Sequence, residues 1–215
     1  MMTIKINSVI LTIALQIVIF TAGPTLAQIL PDTSWYRYES PEQAGFSSEG
    51  IAEAKAYADS LGSKAVMLIH NGAIVTEWGN TAELAPVASI RKSMFSALIG
   101  IAADEGVIDT SSTIGELGIT DSTPLTELEK RATVRNLLTT SSGVYLPASG
   151  EGPGNNKPPR GSAEPGEQWF YNNWDFNVLA SIYEQETGMG MYQAMEEKLA
   201  DPLGIASSTL HQHLR

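Results

Sequence analysis

The chain has 215 residues, 13 Lys and Arg against 24 Asp and Glu for a net charge of −11, 43% hydrophobic residues and no cysteine. This is the balance of a globular protein with a core; it excludes collagen and wholly disordered chains and argues against nucleic-acid and anionic-membrane partners, which the average surface would repel. Without cysteine a nucleophile has to be oxygen or nitrogen, and with two of three histidines at the extreme C-terminus, His211 and His213, a His-based metal site is not expected.

Residues 1–27 carry one positive charge, Lys5, then the apolar run Val9 to Phe20, then Gly23-Pro24 and small residues ending at Ala27. This is the layout of a secretory signal peptide, with cleavage expected before Gln28. The run is well short of the roughly 20 residues that cross a bilayer, so no stable membrane span is expected after cleavage. An exported protein without cysteine suits a bacterial envelope, periplasmic or secreted.

Leu30 to Phe46, rich in Pro, Ser and aromatics, reads as an extended lead-in. Ser47 or Ser48 is an N-cap for a surface-lying amphipathic helix carrying Ile51, Ala54, Ala58 and Leu61, with Gly62 where it would stop. Ala65 to His70 and Ala73 to Trp78 are two strands joined by Asn71-Gly72, the pair that favours a type I′ hairpin.

Ser89 to Glu105 is apolar over most of a helix circumference and ends at Gly106, so it is expected to be buried. Short helical pieces follow, including Thr133 to Leu138. Ser149 to Gly166, dense in Gly and Pro, reads as a long loop, a kind that is usually disordered or functional. Two last helices are expected at Phe176 to Glu186, with Gly188 as stop, and Met191 to Leu199 before Pro202. No internal repeat is present.

Ser89-Ile90-Arg91-Lys92 is an S-x-x-K at the start of the apolar helix, which puts a hydroxyl and an amine one turn apart on one face. A neutral lysine there can take the serine's proton, and apolar burial lowers a lysine's pKa in the needed direction. The same residues also fit an N-cap followed by a surface lysine. Tyr171-Asn172-Asn173 is a Y-x-N just before a helix. Its phenol can relay a proton or act as a base beside a lysine; it also fits an aromatic packed under a loop, with an Asn capping the next helix.

Four stretches taken in order carry a resemblance: Ser89-Ile-Arg-Lys through Gly106, Leu137-Leu-Thr-Thr-Ser-Ser-Gly143, Pro165-Gly-Glu-Gln-Trp-Phe-Tyr-Asn-Asn173, and Pro202-Leu-Gly204. Together they resemble the serine β-lactamase-related hydrolases, the group of class C β-lactamases, D,D-peptidases, related esterases and amide hydrolases. The resemblance implies an α+β fold in two parts. An α/β part with an antiparallel sheet would contain residues 28–88, and a mainly helical part would run over 89–215, with the site in the groove between them. It also implies that Ser89 is the nucleophile that forms an acyl-enzyme. Lys92 would be its proton partner, Tyr171 the second acid/base group, and Asn173 a polar contact for substrate or for the lysine. The Ser89 backbone N–H would be one oxyanion donor. Either Lys92 or Tyr171 can be the base. Arg91, between the motif residues on another helix face, is expected to be solvated or structural.

The family's third motif, a Lys or His followed by a small residue and Gly, has no suitable copy. His70-Asn71-Gly72 has the letters but belongs to the early hairpin and precedes the nucleophile. The expectation is therefore an N-terminal portion of a longer enzyme, without the late sheet strands and poorly soluble and nearly inactive by itself. Two functions follow. One is an exported serine hydrolase with a small-molecule amide or ester substrate: a β-lactam, peptide, oligo-amide or simple ester. The other is a truncated or pseudoenzyme fragment with little or no catalysis. An unrelated helical fold would require the Asn71-Gly72 hairpin to be absent.

Overall fold

The computed structural model describes residues 34–83, 85–152 and 156–205, so the expected signal peptide and the C-terminal histidines lie outside the described residues. The chain divides into two compact units, one ending at Glu83 and the second running from Leu84 onward. Among the described residues, no helix is long and apolar enough to cross a membrane and no cluster of metal-ligating side chains is present.

The first unit holds strand β1 (Tyr36–Arg37), helix α1 (Ser48–Ser60), and strands β2 (Ala65–His70) and β3 (Ala73–Gly79). The sheet order is β1-β3-β2, with β2 antiparallel and β1 parallel to β3. Asn71 and Gly72 have φ of 48° and 78°, the positive pair that a type I′ turn requires. His70-Asn71-Gly72 is thus a hairpin turn. The lead-in is not merely extended: it supplies β1 and a 3-10 turn at Pro41–Ala44. Two residues are too few to show a strand's alternation in sequence. Ser47 caps α1 by accepting from the Gly50 N–H at 3.0 Å, and α1 lies on the surface with no buried residue.

The second unit is helical: α2 (Arg91–Asp104), α3 (Val134–Leu138), α4 (Asn173–Thr187) and α5 (Met191–Ala194), the last continuing as a π-helical turn over Met195–Ala200. Its core joins Leu98 and Ile99 of α2, Leu137 of α3 and Val178 and Ile182 of α4, with Ile114, Val134 and Ala194. Thr133 and Asn136 form a reciprocal capping box that starts α3, and Gly188, at φ 67°, ends α4 as expected.

The apolar α2 is not buried along its length. Only Leu98, Ile99 and Ala102 are, while Ile90 just before the helix is 68% exposed and Met94 is 43% exposed. The elements packed against it, α4 and the Met195–Ala200 turn, leave its first turns open. The long loop is tied down by charge. The Arg160 guanidinium donates to both carboxylate oxygens of buried Glu129, at 2.7 and 2.6 Å, and to the Pro124 carbonyl at 2.7 Å.

Candidate active site

Ser89 lies in a 3-10 turn, Ala88–Ile90, directly ahead of α2 rather than inside the α-helix. In that tighter winding residues i and i+3 eclipse, and Lys92 Nζ donates to Ser89 Oγ at 3.0 Å. Ala88, immediately before the serine, has φ 44°, a region costly for a side chain and typical of functional turns. Ser89 and Arg91 are exposed and Lys92 is half-buried.

Lys92 Nζ also donates to the Tyr171 phenol oxygen and, at 2.6 Å, to Asn173 Oδ1. Three acceptors match the three hydrogens of an ammonium. The same nitrogen lies 4.5 Å from the Tyr171 ring centre and 4.6 Å from that of Phe176, and both ring faces favour a cation. Apolar side chains, among them Phe95, Ile99 and Met191, line a cavity beside the lysine stem. The nitrogen thus sits among three oxygen acceptors and two ring faces, with the apolar lining confined to the stem. Phe176, the second π partner, was not singled out in the sequence; its only signal is an aromatic five residues after Tyr171.

Burial would push the Tyr171 phenol up, but hydrogen bonds from Lys92 and Ser89 and the lysine charge outweigh it, so the phenol titrates below the ordinary tyrosine range. Asn173 touches the lysine through Oδ1, while its Nδ2 donates to the Gly150 carbonyl at 2.9 Å. All four residues singled out from sequence, Ser89, Lys92, Tyr171 and Asn173, thus meet at one nitrogen within the second unit.

The segment bearing Tyr171 runs beside the Leu137–Gly143 stretch. Gly166 N–H donates to the Ser141 carbonyl at 2.7 Å and Phe170 N–H to the Thr140 carbonyl at 2.9 Å, and the Phe170 ring meets Tyr145 edge-on at 5.8 Å. Gly143 is required where it stands. Its φ is 72°, and a Cβ there would lie 2.7 Å from the Ala163 carbonyl oxygen.

Sequence reasoning offered an Asn cap for the next helix but missed the buried contacts beneath this segment. Asn172, the middle residue of Y-x-N, is 1% exposed and donates from Nδ2 to the Val144 carbonyl at 2.7 Å and to Asp175 Oδ1 at 2.9 Å. Its Oδ1 accepts from the Trp174 N–H at 3.3 Å, which starts α4 earlier than expected. Ser142 Oγ donates to the same Asp175 oxygen at 2.6 Å. The available signal was an acid one turn into a helix whose neighbours Trp174, Val178 and Leu179 are apolar.

No curated protein matches the chain. A crystal structure of SurE with D-Leu is similar at 20% identity with a TM-score of 0.52, a likeness of fold alone; the match covers 76% of this chain and 40% of that one, so this chain spans less than half the length of that structure. The family model described as Beta-lactamase matches residues 51–214, a stretch that includes the Ser89, Lys92, Tyr171 and Asn173 cluster, and the chain belongs to that family.

Proposed function

We propose that this chain is an exported serine hydrolase that cleaves a small-molecule amide or ester through an acyl-enzyme on Ser89. The observation that carries the proposal is the Lys92 ammonium donating to Ser89, Tyr171 and Asn173 together. Of the two candidate bases, Lys92 and Tyr171, the proposal takes the Tyr171 phenol, because the hydrogen bond and charge of Lys92 draw its titration downward. The Ser89 hydroxyl proton passes to the Tyr171 oxygen as Oγ bonds to the substrate carbonyl carbon. The resulting oxyanion faces the Ser89 backbone N–H. When the intermediate collapses, the bond to the leaving nitrogen or oxygen breaks and the leaving group takes the proton from Tyr171. Water then attacks the acyl-enzyme by the same proton route, releasing the acid and restoring Ser89.

The reading needs no metal or organic cofactor and no nucleic-acid partner. The layout of residues 1–27 supports export to a bacterial envelope. β-Lactam, peptide, oligo-amide and simple ester substrates share this chemistry.

A fluorophosphonate probe tests the reaction. Ser89 is labelled in the unsubstituted protein, Ser89→Ala removes the label, and Lys92→Ala slows labelling by about 10²–10⁴-fold. An unlabelled but folded protein overturns the proposal. That result is what the second reading, a fragment or pseudoenzyme with little or no catalysis, expects. Its favouring observation is the apolar surface left open at Val87, Ile90 and Met94 beside Ser89.

A further inference from the structure

Between the two asparagine-flanked contacts of the site lies a closed circuit of hydrogen bonds. Val144 N–H donates to Ser142 Oγ at 3.0 Å, Ser142 Oγ–H donates to Asp175 Oδ1 at 2.6 Å, Asn172 Nδ2 donates to the same Oδ1 at 2.9 Å, and Asn172 Nδ2 also donates to the Val144 carbonyl at 2.7 Å. The three side chains are each 1% exposed. Each hydrogen bond in such a dry site is worth more than on the surface, and an unmade one costs the full desolvation of its group.

We infer that Asp175 is a positioning residue for the site: through Oδ1 it locks Asn172, and so fixes Tyr171 and Asn173 on either side of it against Lys92. The inference rests on the proposed hydrolase reading for its chemical consequence, and on the circuit alone for its geometry. Asn172 is the covalent link between the phenol and the amide that hold the lysine, and its side chain is tied on one side to the Ser142–Val144 turn and on the other to α4. Asp175 is the only side chain that receives from both Ser142 and Asn172 among the described residues. Its cost is visible. Oδ2 is buried with no hydrogen-bond partner among the described residues, and so is the nearby Tyr145 hydroxyl. Burial pushes the Asp175 carboxyl up to about 7, against the hydrogen bonds from Ser142 and Asn172 and the charge of Lys157. A group kept at that cost is expected to do something that an apolar side chain cannot.

The test compares Asp175→Leu with Asp175→Asn in the full chain, with two readouts. The first is the titration of the Tyr171 phenol, followed by NMR of ¹³Cζ-labelled tyrosine and assigned with Tyr171→Phe. Asp175→Leu releases the phenol from the lysine, and its midpoint rises toward that of an ordinary tyrosine. Asp175→Asn keeps an acceptor at Oδ1 and restores the wild-type midpoint. The second readout is fluorophosphonate labelling of Ser89, which slows by about 10–100-fold in the leucine variant and recovers in the asparagine variant.

A Tyr171 midpoint unchanged in Asp175→Leu, or equally displaced in both variants, overturns the inference. Should the leucine variant fail to fold, Ser142→Ala removes the two bonds of Ser142 Oγ, leaves the Asn172–Asp175 bond in place and raises the midpoint by a smaller step; an unmoved midpoint there overturns it as well. A wild-type protein that resists labelling while its Tyr171 midpoint responds as described sinks the hydrolase reading and leaves the positioning role standing.

Discussion

Two hydrogen-bond clusters meet at the Tyr171–Asp175 stretch, and they differ most in their exposure to water. Around Lys92 the cluster is open, with Ser89 exposed and Tyr171 40% accessible, whereas Ser142, Asn172 and Asp175 are sealed. Attack on a substrate needs the first arrangement, because a nucleophile has to be reached. Holding three groups to a fraction of an ångström needs the second, because water competes for every exposed hydrogen bond. The covalent chain through Asn172 joins the two clusters, so the positioning role inferred for Asp175 predicts that disturbing the sealed one is felt in the open one.

This contrast is sharpest in Lys92→Ala. It is expected to remove nearly all reactivity of Ser89, by the 10²–10⁴-fold given above, while the thermal midpoint moves little, since the lysine is half-buried and outside the core. A large loss of stability in that variant would erase the distinction between the clusters. Gly143→Ala strikes the sealed side. Its positive φ and the 2.7 Å approach to the Ala163 carbonyl predict a loss of about 2–4 kcal/mol in denaturant unfolding.

The pH dependence of stability probes the buried carboxyl. Asp175 titrates near 7 when folded against 3.8 for the free side chain, so between roughly pH 4 and 7 the folded protein holds a proton that the unfolded chain has released. Its contribution to stability is largest below that window and declines as pH rises through it, by on the order of 2–4 kcal/mol, then stays level. Unfolding of Asp175→Asn followed from pH 4 to 8 should lack this decline. The smallest effect is expected at Thr133→Ala, which touches neither cluster's hydrogen bonds directly, where loss of the α3 cap costs about 1 kcal/mol and leaves Ser89 labelling unchanged.

The open cluster was legible in sequence because its signals are local spacings: S-x-x-K fixes a serine and a lysine one turn apart, and Y-x-N announces a phenol and an amide before a helix. The hairpin was legible for the same reason, through Asn71-Gly72. The sealed cluster was not, since its members come from Ser142, Val144, Asn172 and Asp175 and only the fold brings them together. The extent of α2 burial was not legible either. An apolar circumference says that a helix is able to be buried, and only the packing of α4 and the Met195–Ala200 turn decides which part is. The loop from Ser149 to Gly166 hid its anchor similarly, because Arg160 and Glu129 stand far apart in the chain.

Asn173 has a polarity that ordinary isosteres lack. Its oxygen faces the ammonium and its nitrogen faces the Gly150 carbonyl, so a half-turn of the amide would set donor against donor and acceptor against acceptor at once. Aspartate at this position would satisfy the cation and repel the carbonyl; leucine would satisfy neither. The amide therefore works as a keyed spacer, and the seating of the loop at Gly150 and the seating of the lysine are two readings of a single torsion.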